Sequence, residues 1–291
     1  MKNAIVSEAP AEYGKKRSEC VDLSKLHRNA VLLHGVSWNT FEKLIEETGE
    51  HRKCKFAYDR GEFEIRTDLY SNTESRVILH GVSWNTYKTL LKELGESRNT
   101  RIAFDNGELE IMAPHFEHQS SNLPFEIFLL VLVEEFGLEY LSLGNLTFHR
   151  ENFEKGMEPD CCFYIRSSKE LSAIVEFQSL DHYNYPPADL MIEVDMTHIS
   201  LNKLPICAAL GVPEHWRFDG EKLEIRVLKN GKYVEVAEST AFPKLPLKEA
   251  LPKFIQSGKT GLAVMSREFR KWLRQQLKKN KAPRSAGKKR P

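Results

Sequence analysis

Residues Pro186 to Asp195 read PPADLMIEVD, and within them Leu190 to Val194 is a short run that is apolar except for Glu193. A run of that length suits a strand better than a helix. An ionised carboxylate inside a buried strand is costly unless it is paired or holds a metal. Glu193 therefore marks a candidate site as well as a strand. Further short apolar runs stand at Tyr140 to Leu143, Cys161 to Ile165, Glu214 to Phe218, Leu223 to Leu228 and Tyr233 to Val236. Leu201 to Leu210, stopped by Gly211 and Pro213, reads as a helix between two of them, which makes a strand-helix-strand unit. Asn122 to Phe136 reads as a long amphipathic helix with Pro124 near its first turn. A final helix is expected at about Ser266 to Leu277. These elements predict an α/β fold, a mixed central β-sheet with helices against its faces, spanning about Val77 to Leu277.

Upstream the chain repeats itself. VLLHGVSWNTFEKLIEETGEHRKCKFAYDRGEFEI (Val31 to Ile65) matches VILHGVSWNTYKTLLKELGESRNTRIAFDNGELEI (Val77 to Ile111) without a gap, and more than half of the positions are identical. One repetition is too few for a solenoid, so this is a duplicated supersecondary piece. In each copy Ser37 or Ser83 caps a helix whose apolar positions follow the helical period, and Gly49 or Gly95 ends it. Asp59-Arg60-Gly61 and Asp105-Asn106-Gly107 then turn a hairpin. The chain divides into a polar amino-terminal tail at 1–30, the first copy as a helix-hairpin unit at 31–76, the main domain at 77–277 and a basic disordered tail at 278–291.

Composition narrows the function classes. Hydrophobic residues are 41% and charged residues 29% of the 291, ordinary for a globular protein. No apolar run reaches the roughly 20 residues of a membrane-spanning helix, and the polar first 28 residues lack the pattern of a secretory signal. A cytoplasmic protein is expected. Five cysteines, with no C-x-x-C pair and two adjacent, suit neither a disulfide framework nor a zinc site. Arg274 to Pro291 holds eight Lys or Arg and no acid, so the net +1 of the whole chain leaves residues 1–273 at −7. That tail is either an arm that attracts phosphates or a solubilising end.

Three acidic clusters border these elements: Glu117-His118 at the start of the long helix, Glu158-Pro159-Asp160 before one strand, and Asp189 to Asp195 across the next. Each acid taken alone is more often a solvated terminus or a cap. Asp189 is expected to bond backbone at its strand, and Glu214 and Trp216 to serve packing at the sheet end. His118 fits a helix-start hydrogen bond as well as a proton relay. The order of the clusters is the stronger signal: an acid on a helix, Pro-Asp at a strand, then Glu in the next buried strand.

That order resembles the PD-(D/E)xK nucleases. VSWNTYKTLL, GELEIMAPHFEH, GMEPDCCFYI, PPADLMIEVD and KLPICAALGVPEHWRFDG are similar to successive blocks of a bacterial restriction endonuclease family of that superfamily, over about Val77 to Trp272. The resemblance implies a restriction-endonuclease-like fold and hydrolysis of DNA phosphodiesters by a metal-activated water, with Mg²⁺ as cofactor and Mn²⁺ as a substitute. Residue by residue, it makes Asp160 and Glu193 the central metal-binding carboxylates and Glu117 an auxiliary acid. The motif's lysine position holds Asp195 instead, which becomes either a metal ligand or a strand-end acid. Lys203, in the following helix, takes the part of a displaced catalytic lysine. Cleavage of both DNA strands would call for a homodimer. The rival expectation is a nuclease fold without catalysis that binds nucleic acid or a protein partner.

Overall fold

The computed structural model describes residues 4–6, 30–49, 53–67, 74–95, 98–114, 116–143, 146–166, 170–174, 186–195, 201–258 and 261–281, with side chains left out at 4–6, 74, 114, 116–121 and 281. The chain forms two compact units that interleave in sequence. One comprises Met1–Ser120, Thr147–Glu158 and Thr197–Ala209; the other comprises Ser121–Leu146, Pro159–Met196 and Leu210–Pro291.

In the first unit the two copies fold alike. Copy 1 runs β2 (Ala30–His34), α1 (Trp38–Thr48), β3 (Cys54–Asp59) and β4 (Glu62–Thr67), with β1 (Ala4–Val6) added parallel to β3. Copy 2 runs β5 (Glu74–His80), α2 (Trp84–Leu94), β6 (Arg101–Asp105) and β7 (Glu108–Pro114). The helix and hairpin stand where the sequence predicts, and each is preceded by a strand that the reading does not place. Ser37 Oγ accepts from Thr40 N and Ser83 Oγ from Thr86 N, both at 3.2 Å, which satisfies one of the orphan amides of each first turn. Asp59 pairs with Glu62 and Asp105 with Glu108 across two-residue turns. Both central residues have positive φ, 49° and 94° at Arg60 and Gly61 and 46° and 92° at Asn106 and Gly107, the turn whose twist matches the strands.

The copies also cap each other. Glu93, in α2, accepts from Ser37 N at 3.0 Å and Thr40 Oγ1 at 2.8 Å. Its counterpart Glu47, in α1, accepts from Ser83 N at 2.9 Å, Ser83 Oγ at 2.7 Å and Thr86 Oγ1 at 2.9 Å. A carboxylate at a helix N-terminus meets both the free amides and the positive end of the dipole, and here each copy supplies the other's. Leu44, Phe41, Phe63, Tyr87, Leu90 and Phe104 lie in one apolar core shared by both copies.

The sheets depart from the expected single one. Copy 1 forms β1-β3-β4-β2, and copy 2 forms β5-β7-β6-β10-β9 after recruiting β9 (Phe148–Arg150) and β10 (Lys155–Met157). The strands of copy 2, β5 to β7, therefore do not join the central sheet, because β10 pairs with the outer edge of β6 and β9 with β10, which completes a separate sheet.

The second unit holds that central sheet, in the order β15-β14-β13-β12-β11-β8. Its strands are β8 (Glu139–Ser142), β11 (Cys161–Arg166), β12 (Leu190–Val194), β13 (Glu214–Phe218), β14 (Leu223–Lys229) and β15 (Lys232–Val236). It is mixed, as expected: β12 and β13 are parallel and the other pairs antiparallel. Parallel neighbours need a crossover, and α4 (Leu204–Leu210) lies in that connection. The helices α3 (Phe116–Phe136), α5 (Leu247–Ser257) and α6 (Leu262–Lys281) share one core with alternate strand residues, among them Cys161, Phe163, Ile192, Val194, Trp216 and Ile225. Helix α3 begins six residues before the expected Asn122, so Pro124 sits in its interior. A proline there forfeits one backbone bond; Phe125, Phe128, Leu129 and Leu132, all fully buried, offset that cost.

Candidate active site

The core of the second unit takes Ile192 and Val194 from β12. Side chains alternate along a strand, so Glu193 points to the opposite face of the sheet from α3, α5 and α6. Asp160 immediately precedes β11, and Cys161 pairs with Ile192, which sets Asp160 opposite Glu193. The two acids hold each other's strands. Asp160 Oδ2 accepts from Val194 N at 2.7 Å, and Glu193 Oε1 accepts from Asp160 N at 3.3 Å. Asp160 is only 6% exposed and Glu193 4%. Desolvated carboxylates are expensive; here each is tied to a backbone amide of the neighbouring strand, which fixes its orientation.

The structure also explains the neighbouring acids. Asp195, at the motif's lysine position, is met by Arg217 Nη2 at 3.1 Å, and its own N–H donates to Phe218 O at 2.9 Å. Arg217 is the β13 residue in register with Glu193, so Glu193, Asp195 and Arg217 share one sheet face. Asp189 accepts from Ile165 N at 2.8 Å and from Arg166 Nε at 2.9 Å, which joins the start of β12 to β11. Glu158 is buried on Ile102 N, Thr147 Oγ1 and Arg98. Glu214 accepts from Trp216 Nε1 at 2.7 Å and Thr240 N at 2.8 Å. These last three acids are structural ties. Glu117 and His118 fall in α3, but their side chains lie outside the described residues.

Lys203 belongs to the first unit, just before α4. Its Nζ lies 3.8 Å from Glu110 Oε1, and its side chain is 12% exposed. Glu110 is itself 2% exposed, and its Oε2 accepts from Arg76 Nη1 at 2.9 Å and Leu201 N at 2.7 Å. A glutamate between two cations is thus the residue that holds Lys203. The sequence reading missed both Glu110 and Arg217. Glu110 carries the signal that exposed Glu193, a carboxylate between two apolar residues, Leu109 and Ile111. Its counterpart Glu64 in copy 1, paired with Arg66 at 2.7 Å on the surface, gives that position the look of ordinary polar alternation.

The donor set around Asp160 and Glu193 can be tested against Mg²⁺. That ion takes hard oxygen ligands and is commonly held by one or two carboxylates, with water and substrate oxygens filling the rest. A fixed pair of adjacent carboxylates fits this habit. Among the described residues no group of three or more His, Cys, Asp or Glu forms a fuller metal cage. No helix among them is long and apolar enough to cross a membrane.

Residues 84–264 match the model of a protein family, Uma2, described as "Putative restriction endonuclease". The chain belongs to this family. The match begins at Trp84, inside copy 2, so copy 1 and nearly all of α6 lie outside it. No curated protein matches the chain. A solved structure from Anabaena variabilis, titled as a putative nuclease belonging to DUF820, is similar over 60% of this chain and 99% of its own, with 14% identity and a TM-score of 0.42. Membership in Uma2 makes this a protein of a nuclease family, in agreement with the resemblance read from its sequence blocks.

Proposed function

We propose that this Uma2 protein is a Mg²⁺-dependent DNA endonuclease, with Mn²⁺ as a working substitute, in which Asp160 and Glu193 hold the ion. The observation that supports this reading most is the interlocked pair: two buried carboxylates from adjacent strands, each oriented by the other strand's backbone. A bound Mg²⁺ would lower the pKa of a coordinated water and neutralise charge gathering on the phosphoryl oxygens. The protein's part is to present both carboxylates already ordered, so that little side-chain freedom is left to lose on binding. Lys203, steadied by Glu110, takes the cationic role that the family pattern assigns to it, and Glu117 the auxiliary acid. Asp195 would serve the metal through a carboxylate whose Oδ2 Arg217 already orients. Cutting both strands would require a second copy of the chain.

The test is cleavage of supercoiled and linear DNA with Mg²⁺, Mn²⁺ or EDTA, comparing wild type with Asp160→Asn. Asparagine keeps an oxygen for Val194 N, whereas alanine would leave a buried amide unpaired at a cost of about 1–3 kcal/mol. Metal-dependent nicking that disappears in a folded D160N protein is the expected result. DNA binding without cleavage by wild type in any metal would favour the non-catalytic module, to which the Asp195–Arg217 pair at the lysine position already lends some support.

A further inference from the structure

Helix α6 carries Met265, Phe269 and Leu273 into the core of the second unit. At 100° per residue these lie on one side, and Arg267, Lys271, Arg274 and Lys278 fall within an arc of about 60° on the other. All four are exposed. Arg274 is drawn to Glu135 of α3, as is Arg270 beside the stripe. Arg267, Lys271 and Lys278 have no carboxylate within ion-pair distance among the described residues. Seven Lys or Arg stand in this helix against one acid, Glu268. From Leu262 to Pro291 the chain carries eleven bases and that single acid, which leaves residues 1–261 at a net −9. The net positive charge of an otherwise acidic protein is therefore gathered on one helix and the segment that follows it. A stripe from position 267 to 278 is about 17 Å long, enough to meet several phosphates of a nucleic acid backbone.

We propose that the outward face of α6 is a docking surface for the phosphodiester backbone of DNA, holding the substrate without reading its sequence. This rests on the nuclease reading for its choice of polyanion, and it adds a surface that the Uma2 match, ending at residue 264, leaves out. Lysine and arginine contacts to phosphates release condensed counterions, so each contributes about 0.9 to the slope of log affinity against log salt. Charge outside the catalytic region should thus govern affinity and leave the chemical step alone.

The experiment uses the full chain and its Arg267→Gln/Lys271→Gln/Lys278→Gln variant, which leaves Arg270 and Arg274 on their glutamates. Binding of a fluorescent duplex is followed by anisotropy in EDTA across a salt series. The expected result is a salt slope shallower by about 2.7, with an unchanged melting temperature. Where the wild type cleaves, the variant should show a raised KM and an unchanged kcat. An identical slope in both proteins overturns the proposal, as does variant-sensitive binding to vesicles of anionic phospholipid with no change on DNA, which would make the stripe a membrane contact. The slope is measured without metal. Failure of cleavage in every protein would therefore sink the nuclease reading while a changed slope would still support the surface.

Discussion

Arg60 occupies a left-handed backbone conformation, φ 49°, in the turn where copy 2 has Asn106 at φ 46°. Such a conformation costs an L-residue with a bulky side chain about 1–2 kcal/mol, and asparagine tolerates it best after glycine. The Arg60 side chain is mostly exposed and, among the described residues, pairs only with Asp59, at 3.9 Å. Arg60→Asn should therefore stabilise the protein by about 1 kcal/mol, read as a higher urea midpoint at unchanged slope; an equal or lower midpoint would mean that the arginine has an unseen role. The same scale shows what single residues disclose in sequence. Glu193 was legible because a charge inside DLMIEVD contradicts its surroundings. Arg217 was not, since its register with Glu193 exists only once β13 lies parallel to β12. Arg76 precedes the repeated stretch, where copy 1 has Ala30, and nothing in the sequence links it to Glu110 across a strand pair.

At the scale of elements, the mutual capping of α1 and α2 depends on close backbone approach. A Cβ on Gly81 would stand 2.8 Å from Glu47 O, and one on Gly35, at the matching place, 3.4 Å from Glu93 O. Both glycines have φ near 80°. Alanine at either site pays the left-handed strain, but only Gly81→Ala also forces the backbones apart. We expect G81A to be more destabilising than G35A by at least about 1 kcal/mol in chemical denaturation. Equal losses would show that the contact between copies yields easily. The elements found from sequence are those with a clear period or a turn signature: the paired helices, the Asp-x-Gly hairpins, and β12 and β13 to the residue. Helix α5 escapes the reading, because Pro246 before it and Pro252 within it mimic loop punctuation. Strands β9 and β10 span three residues each, too short to show alternation.

For the molecule as a whole, the two units are interleaved rather than consecutive, and no composition shift marks where the chain passes from one to the other. Hydrophobic periodicity reports which face of an element is buried, not what covers it; that is why the strands of copy 2 read as part of the central sheet. Within the second unit, α6 is clamped to α3 by Arg270 and Arg274 on Glu134 and Glu135. Hydrogen bonds from Arg274, and then from Arg270, hold Glu135 below the usual glutamate range. A carboxyl depressed in the folded state stabilises above its unfolded pKa, near 4.3, and that contribution is lost as pH falls through the folded value. Glu135→Gln should therefore melt below wild type at neutral pH, with the gap closing as pH falls below about 4. Burial pushes Glu126, also on α3, the other way, so the difference between the two proteins is the quantity to follow. A gap that stays constant into acid would show that the clamp acts by packing alone.

Each glutamate in the mutual caps recognises only the first turn of the opposite copy. The geometry does not require that both copies belong to one polypeptide. Two chains that exchanged their first copies would rebuild every one of these bonds. What favours the closed form is a short tether, which keeps the first copy at an effective concentration on the order of millimolar. The duplication thus gives the protein, within a single chain, the kind of reciprocal contact that two like chains would make in a twofold pair.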